Sequence, residues 1–90
     1  MSSSKLWIPR ELDWKPSALR GIRKLGLERG SRIKRAFERL AETGRGDVKP
    51  VEPREIGYLE LRIGLELRGV FRDDGSTITV YKVGKEAAAT

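Results

Sequence analysis

Leu59-Glu60-Leu61-Arg62-Ile63-Gly64-Leu65-Glu66-Leu67-Arg68 is the stretch that decides the fold. Leucine or isoleucine fills every odd position from 59 to 67, and charged or small residues fill the even ones. Alternation with a period of two marks a sheet with one face on a core and the other in water. The pattern predicts strands at about Tyr58–Ile63 and Glu66–Arg72, divided by a turn at Gly64-Leu65, with Leu59, Leu61, Ile63 and Leu67 facing inward. A third strand, about Thr77–Val83, follows Asp73-Asp74-Gly75-Ser76, whose residues favour a hairpin turn. The wet face then carries Arg62, Arg68 and Arg72. Arginines in a row on a rigid surface suit phosphate. The plainer reading is a solvated face on which Glu60 and Glu66 pair with them across strands.

Upstream, the spacing is helical. Leu19, Ile22 and Leu25, with Ala18, form one stripe after Pro16, with Ser17 as the expected cap and a start a residue or two away as the competing choice. Ile33, Ala36, Phe37, Leu40 and Ala41 form a second stripe, capped by Ser31 and stopped at Thr43-Gly44. The two helices predict a hairpin over about 17–43. Arg32, Arg35 and Arg39 fall on another face of the second helix, with Lys34 nearby. Lys5–Ile8 reads as a lone edge strand stopped by Pro9. Residues 44–55, with prolines at 50 and 53, read as a loop. Trp7 and Trp14 are expected to pack against the helices, and residues 86–90 to form a tail or a helical turn. The expected core combines positions 19/22/25, 33/37/40 and 59/61/63/67.

Ninety residues make one domain, 1–90. The chain has neither cysteine nor histidine. Disulfides, thiolate metal sites and an imidazole base are therefore excluded, and no metal or other cofactor is expected. No run approaches the roughly 20 apolar residues of a membrane span, and the polar start is no signal peptide. A cytoplasmic protein is expected. The net charge is +6. Lys15 to Arg45 holds ten Lys/Arg against three Glu, and the rest of the chain is close to neutral. Clustered positive charge points to nucleic acid or to an acidic protein partner.

The order of elements and several local strings resemble the RelE/ParE superfamily of toxins from type II toxin–antitoxin systems. The strings are Ala36-Phe37-Glu38-Arg39-Leu40-Ala41-Glu42-Thr43-Gly44, Gly46-Asp47-Val48-Lys49-Pro50, Leu59–Gly64, Arg68-Gly69-Val70-Phe71-Arg72 and Ile78-Thr79-Val80-Tyr81. Glu60-Leu61-Arg62 is most similar to the phage-related killer-protein (HigB-like) branch. The resemblance covers about Leu6 to Lys85. It implies an α+β fold, with a short N-terminal strand and a helical hairpin packed on a small antiparallel sheet of about 58–83.

The resemblance also implies ribosome-dependent mRNA cleavage that inhibits translation, with a cognate antitoxin and the ribosome as partners. Arg62 and Arg68 match the two family arginines, and Lys85 the basic end of the last strand. These three are the catalytic candidates. Arg32, Lys34, Arg35, Arg39, Lys49 and Arg72 are the nucleic-acid-binding candidates. Three features depart from the common pattern. The Arg62–Arg68 spacing is one residue longer, Leu67 stands where an aromatic residue is usual, and Lys85 is not followed by a basic–tyrosine tail. Two other readings stay open: a non-enzymatic, ParE-like toxin that poisons DNA gyrase, and a plain nucleic-acid-binding module. Cleavage by 2′-hydroxyl attack requires a base, which without histidine falls to Glu60, Glu66 or a lysine such as Lys85.

Overall fold

The computed structural model describes residues 6–85. Its elements are β1 (Glu11–Trp14), α1 (Pro16–Leu25), α2 (Leu27–Thr43), β2 (Asp47–Pro50), a 3₁₀ turn at Arg54–Ile56, β3 (Leu59–Ile63), β4 (Leu67–Asp73) and β5 (Thr77–Lys85). The strands form one five-stranded sheet in the order β1-β5-β4-β3-β2. β1 runs parallel to β5, and the other neighbours are antiparallel. Both helices pack on the same face of this sheet. The expected α+β architecture is present, with a wider and mixed sheet. No described helix is long and apolar enough to cross a membrane.

Four local expectations are corrected. The first strand follows Pro9 instead of preceding it. Leu6 and Ile8 are exposed, while Leu12 and Trp14 pack on the core as β1 lies along β5. Lys5, where the expected strand began, and the expected tail at 86–90 lie outside the described residues. Helix α1 starts at Pro16, whose fixed φ and missing N–H suit a first helical position. Ser17 therefore lies inside the helix, and its hydroxyl donates to the Tyr81 carbonyl. Helix α2 starts at Leu27, not Ser31. The break between the helices is the single residue Gly26, at φ 92°, a conformation that side-chain-bearing residues rarely adopt. Residues 47–50, expected as loop, pair with β3 as an edge strand. All four are exposed, so no alternation of burial marks them.

The core joins one stripe of α2 to the inner face of the sheet. Ile33, Phe37, Leu40 and Ala41 meet Leu61, Leu67, Phe71, Ile78, Val80 and Val83, with Ala18 from α1. Phe37 sits at the centre, edge-on to Trp14 at 5.4 Å and to Phe71 at 5.5 Å between ring centroids. Such aromatic pairs add to the burial of large rings. In α1, the small Ala18 is buried and Leu19 is 39% exposed. A β-carbon on Gly21 would stand 2.5 Å from the Val83 carbonyl oxygen, so α1 lies directly on the β5 backbone. Leu65, in the expected turn, is 99% exposed, since the strand ends at Ile63.

Trp7 packs on the end of α2. Its indole N–H donates to the Ala41 carbonyl at 2.9 Å, and the Arg10 backbone N–H reaches the same oxygen at 2.8 Å. One of the carbonyls left unpaired at a helix end is thereby satisfied. Arg10 stacks on the Trp7 ring and pairs with Asp73 at 3.0 Å, tying the N-terminal segment to the β4–β5 turn.

Candidate functional site

The helices cover one face of the sheet, and strand register decides what the other face presents. Arg62 is paired with Arg68, Glu60 with Val70 and with Lys49, and Arg62 with Asp47. Opposed residues share a face, and these alternate with the buried Leu61, Leu67 and Phe71. The open face thus holds Lys49, Arg62, Arg68, Arg72 and Lys82 against Asp47 and Glu60.

Arg68 does not stand alone. Its guanidinium donates to Glu60 Oε2 at 2.8 Å, and the Glu60 side chain is only 14% exposed against 41% for Arg68. This pair forms the floor of a cleft of about 510 Å³. One wall is Pro50-Val51-Glu52, where β2 ends, and the other is the end of β5 from Lys82 to Lys85. The cleft is the largest concentration of candidate chemistry on the open face. Its lining combines the Arg68 guanidinium fork with two carboxylates, Glu52 and Glu60, and two lysines, Lys82 and Lys85.

Lys82 was not singled out from the sequence. A β-bulge brings it there. Val70 pairs with Lys82 but Phe71 pairs with Val80, so β5 carries one extra residue at this point. Bulges re-aim side chains. Here Val80 and Val83 both stay in the core, and Tyr81 and Lys82 both turn to the open face. The signal in the sequence is the broken alternation of Ile78, Val80 and Val83.

The remaining sheet candidates separate. Lys85 is paired with the buried Leu67, which puts its β-carbon on the helix side, and it borders the cleft from the strand end. Arg72 donates to the Ile56 carbonyl and lies over the Tyr58 ring, 4.8 Å from its centroid. It therefore anchors the 3₁₀ turn as well as facing solvent. Tyr58 meets Tyr81 edge-on at 5.4 Å. Beside them, Gly57, Arg72, Thr77, Thr79, Tyr81 and Asp74 line a second recess of about 410 Å³. Asp74 Oδ1 accepts the backbone N–H groups of Ser76 and Thr77, both at 2.8 Å. The Thr77 bond, then the Ser76 bond, holds its carboxyl below the usual range.

The helix candidates lie on the opposite side of the molecule from Arg68. Arg32, Arg35 and Arg39 line a shallow groove with Ala36, Glu38, Glu42 and Ile63. Glu66 in the β3–β4 turn reaches Arg29 at 3.2 Å and Arg32 at 4.0 Å, linking α2 to the turn. Lys34 belongs to another surface, near Ile22, Gly26 and Leu27 at the elbow of the hairpin. Glu66, one of the possible bases, is thus remote from the cleft, and Glu60 is in it.

No protein-family model and no curated protein matches the sequence. Solved structures do match the fold. A chain of the toxin–antitoxin complex RelBE2 from Mycobacterium tuberculosis superposes with a TM-score of 0.73 at 23% identity, over 88% of this chain and all of that one. YafQ from E. coli gives 0.67 at 14% identity, over 88% of this chain and 96% of its own. A chain of the E. coli DinJ-YafQ toxin–antitoxin complex gives 0.67 at 15% identity, over 90% and 97%. The fold of this chain is that of the RelE-like toxins.

Proposed function

We propose that this protein is the toxin of a type II toxin–antitoxin pair, neutralised by a cognate antitoxin, and that it inhibits translation by cleaving mRNA in the ribosome. The observation that carries this reading is the cleft in which Arg68, Glu60 and Lys82 converge. Attack of a 2′-hydroxyl on the adjacent phosphorus forms a 2′,3′-cyclic phosphate and breaks the P–O5′ bond, the leaving 5′-oxygen taking a proton from solvent; it needs a base, charge stabilisation and in-line geometry. Glu60 is the carboxylate positioned to accept the 2′-hydroxyl proton. Arg68 presents its fork to the phosphate oxygens, whose charge grows in the transition state. Lys82 and Arg62 add positive field on the same face, and Lys49 extends it along β2. The groove of Arg32, Arg35 and Arg39 would hold ribosomal RNA or the acidic antitoxin. The HigB-like branch, read from Glu60-Leu61-Arg62, is part of this proposal.

A second reading has one observation in its favour. Arg68 is already matched by Glu60, and Arg72 by the Ile56 carbonyl and Tyr58. A face whose charges are satisfied internally suits a non-enzymatic toxin that binds a protein such as DNA gyrase. Induced expression in a bacterial host, with mRNA 5′ ends mapped before and after growth arrest, separates the two. New ends inside translated codons, lost in Arg68→Ala, are expected. Arrest with intact mRNA would move the assignment to a protein target.

A further inference from the structure

We propose that the recess walled by Tyr81, Arg72 and Thr79 is a nucleobase subsite, which takes one unstacked base of a single-stranded RNA whose phosphate lies at Arg68 and Lys82. This rests on the RNA reading above and extends it to a second cavity. Four observations carry it. First, the two recesses are neighbours along β5. Lys82 lines one and Tyr81 the other, as consecutive residues of the bulge. On β4, Arg68 and Arg72 are four residues apart, a span of about 14 Å. Val70, midway between them, lines the phosphate cleft.

Second, the lining has the chemistry of base recognition. Unstacked bases are held on aromatic rings and guanidinium planes and are read along their edges by hydrogen bonds. Here Tyr81 supplies a half-buried ring, Arg72 a guanidinium plane, and Thr77 and Thr79 hydroxyl groups on the same face. Third, the recess is large enough for one base with its solvent, at about 410 Å³.

Fourth, the ring is held in place. Tyr58 packs edge-on against it, and Arg72 lies over the Tyr58 ring. The backbone beneath is pinned from behind. The Ser17 hydroxyl donates to the Tyr81 carbonyl, and Gly21 lies against the Val83 carbonyl. A surface tyrosine with a merely solvating role would need none of this support. Pre-set aromatic platforms beside basic grooves are how proteins bind single strands.

The test uses a short, fluorescent, 2′-O-methyl single-stranded RNA, which binds but lacks the nucleophile for cleavage. Affinity is measured across a salt series for the wild type, Tyr81→Ala, Tyr81→Phe and Lys82→Ala, and with a probe carrying one abasic position. Tyr81→Ala is expected to weaken binding roughly 5- to 150-fold without changing the salt slope. Tyr81→Phe should bind like the wild type. Lys82→Ala should flatten the slope by about 0.7, one phosphate contact on a single strand. The abasic probe should lose the same factor with the wild-type protein, which keeps the test decisive if Tyr81→Ala fails to fold. Salt-dependent binding that ignores both Tyr81→Ala and the abasic site would overturn the subsite and leave the RNA reading standing. No salt-dependent binding by the wild type would overturn the subsite, while the RNA reading itself stands or falls on the mRNA 5′ ends mapped after growth arrest.

Discussion

The two faces of this one sheet obey different rules. On the helix-covered face, the buried side chains are all apolar, and they interlock around Phe37. On the open face, every second residue of β3 and β4 is polar or only half-buried, and charges are partnered in place: Arg68 by Glu60, Arg72 by Ile56 and Tyr58. The covered face gives this small domain its stability, since burial scales with apolar area and exposed ion pairs add little. The open face is then free to carry chemistry. A substitution should therefore reveal its face by what it damages.

The largest effect is expected at the centre of the covered face. Phe37→Ala should cost about 3–5 kcal/mol, because it removes a fully buried ring and leaves a cavity. Denaturant titration should find the variant largely unfolded. A sharper test is Gly21→Ala. Helix propensity alone predicts a gain of roughly 1 kcal/mol. The new methyl would meet the Val83 carbonyl at 2.5 Å, so a net loss of about 1–3 kcal/mol is expected instead. A stabilised Gly21→Ala would show that α1 can lift from β5, and that the covered face is less rigid than its contacts imply.

On the open face, Glu60→Gln should change stability by no more than about 1 kcal/mol, as for other partly exposed pairs. It should tighten RNA binding and steepen its salt dependence, because Arg68 loses its counter-charge. Cleavage in translation extracts should fall at the same time if Glu60 is the base. Unchanged binding would mean that the pair is structural. The smallest effect concerns the β4–β5 turn. Asp74 is held below its ordinary pKa by backbone N–H groups, so the folded state binds its proton less readily than the unfolded chain. Its stabilisation is full above the ordinary aspartate range and is lost as pH falls through the lowered value. Acid titration of stability should show this decline in the wild type and a smaller one in Asp74→Asn.

Much of the covered face was legible. Ile33, Phe37 and Leu40 kept helical spacing, Leu61 and Leu67 kept strand spacing, and all five are buried. The expectations that failed lie where local pattern and global position part. Leu19 fits the helical stripe, yet the close approach of α1 to β5 at Gly21 lets the smaller Ala18 take the interior. β2 has no buried residue to betray it. The candidate site was half legible. Arg62 and Arg68 share the open face as the alternation required, while Lys82 reached the cleft through a bulge and Lys85 was carried toward the other side.

By itself, the sequence determined the α+β class, the helical hairpin, the hairpin turn at Asp73–Ser76 and the face on which the arginines lie. Those features depend on residues near one another in the chain: spacing on a helix, alternation on a strand, turn chemistry. Only the tertiary structure decided that β1 lies parallel to β5, that residues 47–50 extend the sheet, and that Arg68 is the open-face arginine Glu60 holds at 2.8 Å. It also decided that Tyr81 and Lys82 turn the same way. Each of these is a pairing between segments distant in sequence, fixed by register and by the packing of α1 on β5, which no local pattern encodes.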